Sequence, residues 1–140
     1  MKRIIYLSSA TKFMSDFELH NLLKIARDNN KIKNITGLLL YIDGDFIQII
    51  EGDEFEINNL YSNIQFDNRH KNIICVSDQK IAKRQFPDWT MGFNATSYKI
   101  LNRNPSYADF NSEALFKFND KTASIFIETF LNSHKNFIDY

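Results

Sequence analysis

Residues 35–52 read Ile35-Thr36-Gly37-Leu38-Leu39-Leu40-Tyr41-Ile42-Asp43-Gly44-Asp45-Phe46-Ile47-Gln48-Ile49-Ile50-Glu51-Gly52, two apolar runs on either side of an Asp-Gly pair. The first run, Ile35 to Ile42, is nearly all apolar, the pattern of a strand covered on both faces. Asp43-Gly44 is a tight-hairpin signal, because both central residues of such a turn need positive φ. The return strand runs from Asp45 to Glu51 and stops at Gly52. The stretch therefore predicts a hairpin inside a sheet, and the flanking sequence must supply what covers it.

Upstream, Ile4 to Ser9 reads as a strand. Ser15-Asp16-Phe17-Glu18 is a capping box, in which the serine accepts from an amide three residues on and the glutamate reaches back. Leu19, Leu22, Leu23 and Ala26 then recur at helical spacing, which predicts a helix from Asp16 to about Asp28. Asn29 and Asn30, residues that tolerate left-handed geometry, are expected to end it. Downstream, Ile57, Leu60, Tyr61 and Ile64 mark a second amphipathic helix. Ile73 to Ser77 and Thr90 to Phe93 read as further strands, the last entered through Phe86-Pro87-Asp88. The order β-α-β-β-α-β-β predicts an α+β, ferredoxin-like sheet with one added strand and two helices on one face.

Residues 94–140 differ in character. Asn102 to Ser106 reads as a loop, and a short helix is expected over Tyr107 to Phe118. Ala123, Phe126, Ile127, Phe130 and Leu131 form a helical stripe, with Asp120 or Thr122 as cap. The chain is thus divided into a sheet-and-helix domain, residues 1–95, and a C-terminal helical extension, residues 96–140. The extension is expected to cover the open face of the sheet or to dock on a second subunit.

The 17 basic and 17 acidic residues cancel, which argues against a broad basic surface for nucleic acid. No stretch approaches the apolar length that spans a bilayer. The single cysteine, Cys75, cannot form an internal disulfide and points to a reducing, cytoplasmic compartment. Its apolar setting, Ile73-Ile74-Cys75-Val76, predicts a buried, inert thiol. Phenylalanine occurs 13 times. Phe110, Phe116, Phe118, Phe126, Phe130 and Phe137 are more than one small sheet is expected to cover, which favours a homo-oligomer.

Several polar residues stand where the pattern wants apolar ones. Gln48 shares a strand face with Phe46 and Ile50. A buried amide there must find partners, either a neighbouring side chain or a polar ligand, or cost about 1–3 kcal/mol. Tyr6 and Ser8 share a face of the first strand, and the Tyr6 hydroxyl could be that neighbour. Asn29-Asn30 is either a helix terminator or a donor-acceptor pair for the edge of a heterocycle. Asp67-Asn68-Arg69-His70 is either a solvated turn or a site in which Arg69 holds a carbonyl oxygen. Neither a metal-ligand spacing, a phosphate loop nor a nucleophile elbow accompanies these residues.

Six strings in order resemble the BLUF family, flavin-based blue-light sensors, over Arg3 to Phe93. They are Arg3-Ile4-Ile5-Tyr6-Leu7-Ser8-Ser9, Ala26-Arg27-Asp28-Asn29-Asn30, Ile35-Thr36-Gly37-Leu38-Leu39, Phe46-Ile47-Gln48-Ile49-Ile50-Glu51-Gly52, Asp67-Asn68-Arg69-His70 and Phe86-Pro87-Asp88-Trp89-Thr90-Met91. The sequence departs from the family pattern modestly: Asn34 stands where glycine is common, Thr90 where serine is, and Asn29 where some members have histidine.

The resemblance implies a photoreceptor without catalysis of its own, holding FAD (FMN or riboflavin being the alternatives) between the two helices. Leu22 and Ile64 would lie on the two sides of the ring, Asn30 would bond its O4/N3 edge and Arg69 its O2 carbonyl. Asn29, Asp67 and His70 would lie nearby. Tyr6 would be the electron and proton donor, bonded to Gln48, and Gln48 would face flavin N5 and O4 with Ser8 in support. Trp89 and Met91 would be alternative neighbours of Gln48 through which the signal leaves. Residues 94–140 are too few for a catalytic output domain, so a stand-alone member acting on a separate downstream protein is expected. The competing readings are a small ferredoxin-like hydrolase using Arg69 with an asparagine, and a plain interaction module that docks through its phenylalanines.

Overall fold

A computed structural model describes residues 1–88, 90–95 and 121–133. The hairpin at its centre forms as read. Strand β2 (Thr36–Ile42) and strand β3 (Asp45–Gly52) are joined through Asp43 and Gly44, both at positive φ (47° and 86°). Strand β1 (Lys2–Ala10) pairs antiparallel with β3 on one side and with β4 (His70–Lys80) on the other. Strand β5 (Gly92–Ala95) adds parallel to β2, completing the five-stranded order β4-β1-β3-β2-β5. The first four strands have the ferredoxin-like order, with the added strand at the β2 edge.

Alternation along the central strands divides the core in two. Ile4, Tyr6, Leu39, Tyr41, Phe46 and Ile50 point to the face covered by helix α1 (Asp16–Lys33) and helix α2 (Glu54–Gln65), which contribute Leu19, Leu23 and Ile57. Ile5, Leu38, Leu40, Ile42, Ile47 and Ile49 point to the opposite face, against Phe86 and against Ala123, Ile127 and Phe130 of helix α3 (Lys121–Ser133). This explains why the hairpin is apolar at nearly every position. Of the six phenylalanines singled out above, Phe126 and Phe130 are engaged here. The other four, the loop over Asn102 to Ser106, the helix expected over Tyr107 to Phe118 and the cap at Asp120 lie outside the described residues.

Four sequence expectations need correction. Helix α1 does not end at Asn29-Asn30 but runs to Lys33. Its left-handed cap is Asn34 (φ 54°), whose N–H closes onto the carbonyls of Asn30 and Lys31. The same geometry accounts for the asparagine where glycine is common, since both residues accept left-handed backbone at low cost. Strand β4 is longer than Ile73–Ser77, and it is a sheet edge with register shifts against β1. Cys75 is therefore exposed, not buried, and Ile74 is 58% exposed. An edge strand has one flank open to solvent, which an apolar run in sequence does not reveal. Finally, β5 starts at Gly92 and not at Thr90, so Met91 belongs to the segment that leads into the strand.

Ser15 caps α1 as read, with its Oγ accepting from the Glu18 amide at 3.2 Å, while the Glu18 carboxylate accepts from the Ser15 hydroxyl at 3.3 Å. Asp53 caps α2 by accepting from the Phe55 and Glu56 amides. Gly37 is required by packing: a Cβ there would stand 1.9 Å from the backbone oxygen of Ile49. Because β2 and β3 are both interior strands, neither can move aside. Gly37→Ala is expected to destabilise the fold by about 1–3 kcal/mol, as overpacking does. A lowered urea midpoint measures this, and an unchanged midpoint would mean the strands separate freely.

Candidate functional site

Tyr6 and Gln48 are direct partners in the β1–β3 ladder, so both side chains emerge on the α1/α2 face. The Tyr6 hydroxyl donates to Gln48 Oε1. Gln48 Nε2 donates to Met91 Sδ at 3.5 Å. The amide is thus engaged at both ends, with a phenol on one side and a thioether on the other. All three residues are buried. Burial pushes the Tyr6 phenol above the ordinary tyrosine range, and the charges on Tyr61 and Asp67 push the same way.

Ser8 lies two residues beyond Tyr6 on the same face but bonds neither Tyr6 nor Gln48 directly. Its Oγ lies 2.9 Å from His70 Nδ1, and His70 Nε2 lies 2.7 Å from the Ile64 carbonyl oxygen. A carbonyl only accepts, so Nε2 carries the hydrogen, and in the neutral ring Ser8 is the donor to Nδ1. The imidazole stands edge-on to Tyr6, with ring centroids 6.2 Å apart. Ser8 is therefore connected to the tyrosine by way of His70, not by a bond within the Tyr6–Gln48 pair.

Above this floor is a cavity of about 270 Å³ between the two helices. Leu22, Ile25, Ala26, Asn29, Asn30 and Lys33 line it from α1, Leu60, Asn63 and Ile64 from α2, and Asp67, Arg69 and His70 from the turn into β4. Tyr6, Leu39, Phe46 and Gln48 line it from the sheet, and Met14 closes the set. The structure thus gathers Tyr6, Gln48, Asn29, Asn30, Leu22, Ile64, Asp67, Arg69 and His70 around one space. Met91 lies behind Gln48 without lining the cavity, and Trp89 lies outside the described residues.

Asn30 is buried inside α1 and donates through Nδ2 to the Thr90 carbonyl at 2.8 Å. Asn29, its neighbour, is exposed at the rim. Arg69 and Asp67 form a forked ion pair, with Arg69 Nε 2.9 and 3.0 Å from the two carboxylate oxygens and Nη2 on the second. Hydrogen bonding from Arg69 holds the Asp67 carboxyl below the usual carboxylate range, with burial opposing it. The pair uses Nε and Nη2 and leaves Nη1 for another acceptor.

Sequence reasoning passed over several residues that line the cavity or adjoin it. Leu39 was legible in principle, since it is opposite Gln48 in the β2–β3 register and so shares its face. Lys33 could not be placed without knowing that α1 continues past Asn30. Arg27, which donates through Nε to the Met91 carbonyl at 3.0 Å, carries no local signal of a contact 64 residues away.

Residues 1–92 match the family BLUF, sensors of blue-light using FAD. The chain belongs to the BLUF family. Relatives of this BLUF chain include the photoactivated adenylate cyclase subunit beta of Euglena longa, 37% identical over 89 residues, which are 63% of this chain and 10% of that protein. The chain thus spans about a tenth of the length of the cyclase subunits it matches. Among solved structures, a bacterial light-regulated adenylyl cyclase superposes with a TM-score of 0.68 at 33% identity, over 96% of this chain and 34% of that one. BlsA in its ground state superposes with a TM-score of 0.65 at 27% identity, over 99% of this chain and 89% of its own.

FAD is the cofactor of the family, and the chemistry of the lining fits a flavin ring. Apolar side chains from both helices suit the two faces of a flat heterocycle. Amides and a guanidinium suit its carbonyl and imide edge, because they offer donors and acceptors in fixed planes.

The buried phenol carries a linkage prediction. A group whose folded pKa is raised contributes stability that is complete below its unfolded value, about 10 for tyrosine, and is lost as pH rises toward the folded value. Stability is expected to fall above about pH 10, and Tyr6→Phe is expected to flatten that decline. Denaturant midpoints between pH 8 and 11 measure it. An equal decline in both proteins would place the alkaline weakness elsewhere.

Proposed function

We propose that this BLUF sensor switches through the Tyr6–Gln48–Met91 chain and passes the change to a separate protein. The observation that carries the reading is that one buried amide is held between a phenol and a thioether at the floor of the flavin cavity. A bound flavin supplies blue-light absorption and, once excited, a strong one-electron acceptor beside Tyr6. Tyr6 is the donor: loss of an electron makes its phenol strongly acidic, and its hydrogen already points at Gln48 Oε1. When that hydrogen bond is disturbed, the amide can turn over or change tautomer, exchanging the atom presented to the ring without moving the backbone. Turning the amide over ends the Nε2 donation to Met91, and the imidic tautomer leaves Nε2 with one hydrogen in place of two.

The remaining residues hold the frame. Leu22 and Ile64 would hold the ring from α1 and α2, and Asn30, with Asn29 at the rim, would hold its imide edge. Arg69, oriented by Asp67, would hold a carbonyl through Nη1. His70 and Ser8 steady the tyrosine. Trp89 is assigned the alternative position near Gln48 on family resemblance alone. In this reading residues 1–95 are the sensor and residues 96–140 the output element. Support comes from α3, which packs on the face of the sheet opposite the cavity. A partner protein reads that face, and the chain itself catalyses no reaction.

The flavin-loaded protein is expected to shift its absorption to the red under blue light and to return in darkness. Tyr6→Phe is expected to keep the flavin and lose the shift, and Gln48→Leu to do the same. Absorption spectra before and after illumination decide it. A full photocycle in Tyr6→Phe would remove the tyrosine from the mechanism.

A further inference from the structure

The segment from Arg84 to Met91 leads into β5 and is held differently at its two ends. At its start, Arg84 donates to Thr36 Oγ1 (2.9 Å), to the Glu51 carbonyl (3.0 Å) and to the Asn34 carbonyl (2.6 Å). The Glu51 carboxylate, fully buried, accepts the amides of Gln85 at 2.9 Å and Phe86 at 2.8 Å. These bonds tie the segment to β2, β3 and the end of α1, away from the cavity. At its end two consecutive backbone carbonyls are held by side chains of α1. Asn30 Nδ2 holds the Thr90 carbonyl at 2.8 Å and Arg27 Nε holds the Met91 carbonyl at 3.0 Å.

Arg27 and Asn30 are three residues apart and so share one helix face, which lets them take two consecutive carbonyls. They differ in one respect. Asn30 lines the flavin cavity, whereas Arg27 does not. Arg27 is half-buried, and burial lowers its pKa from the ordinary arginine value.

We propose that Arg27 is a positioning residue of the light response: it anchors the Met91 backbone, so that a rearranged Gln48 amide displaces β5. The inference rests on the Tyr6–Gln48 switch proposed above. A methionine side chain has three rotatable bonds and adapts readily to a new neighbour. On a loose backbone, the Met91 thioether could follow or abandon the Gln48 amide by changing rotamers, and the event would end there. With its carbonyl fixed, Met91 keeps Sδ at the amide, and Gly92, the next residue, is already paired with Leu38 at the start of β5. A change in the sulfur–amide contact then acts on a short, stiff lever. Asn30 is less suited to this task, because its amide also faces the cofactor, and turning to follow the ring would take Nδ2 off Thr90.

The test compares wild type, Arg27→Ala, Arg27→Gln and Arg27→Lys as flavin-loaded full-length proteins, in darkness and under blue light. The readouts are the absorption shift and the amide NMR signals of Met91 and Gly92. Arg27→Ala and Arg27→Gln are expected to bind flavin and keep the red shift, while the light-induced displacement of the Met91 and Gly92 signals falls by more than half. Arg27→Lys, which retains a cationic donor, is expected to restore most of it. Arg27→Gln keeps much of the side-chain stem and decides the matter should Arg27→Ala fail to fold. Displacements equal to wild type in both neutral variants, with the red shift intact, would overturn the role of Arg27 alone. A wild-type protein with no red shift would overturn the switch beneath it.

Discussion

The structure is organised around a polar pair that has to be buried. Tyr6 and Gln48 face each other across two interior strands of the sheet. Neither a phenol nor an amide can be placed there without a partner, because an unsatisfied buried group costs about 1–3 kcal/mol. The Tyr6 hydroxyl and the Gln48 carbonyl oxygen satisfy one another, and Met91 takes one of the two amide hydrogens. An amide has two chemically different ends of nearly the same shape, so turning it over exchanges acceptor for donor with little change in packing. A purely apolar floor would give a more robust core and nothing to switch.

The sheet makes this arrangement possible by covering both of its faces. One face carries α1 and α2, spread far enough apart to leave a cavity, while the other is closed by Phe86 and α3. The closed face supplies the rigidity. Gly37 lets β2 and β3 approach closely, and the Glu51 carboxylate fixes the turn that precedes Phe86. Burial raises the Glu51 pKa, while the two amides, Arg3 and Arg84 lower it. The open face, lined from four directions, is where a flavin ring can be held without displacing the core.

Much of the site could be read from spacing, and the misreadings share a cause. Tyr6, Ser8 and Gln48 stood out because strict alternation puts them among apolar neighbours. Asn30 was legible as a polar residue near a helix end, and of its two readings the helix terminator is the one the structure overturns. Two left-handed formers in a row resemble a terminator, yet the helix continues to Asn34, and Asn30 is thereby carried to the buried side. Cys75 was misplaced because an apolar run does not say whether its strand is interior or at an edge. Arg27 stood in one of the family strings but carried no signal of this contact, since its acceptor is a main-chain carbonyl on a distant segment.

Local chemistry was sufficient for the elements themselves: the Asp-Gly turn, the Ser15 cap, the alternation of the hairpin and the amphipathic periods of both helices. These depend on backbone sterics and on burial of one face, and both are written in short windows of sequence. Tertiary structure alone decided which groups meet. The β1–β3 register set Tyr6 against Gln48, the extension of α1 put Asn30 and Arg27 onto consecutive carbonyls, and the edge position of β4 exposed Cys75. The reason is one of range: propensity and period act over a few residues, whereas a partner across the sheet is chosen by how all the elements pack together.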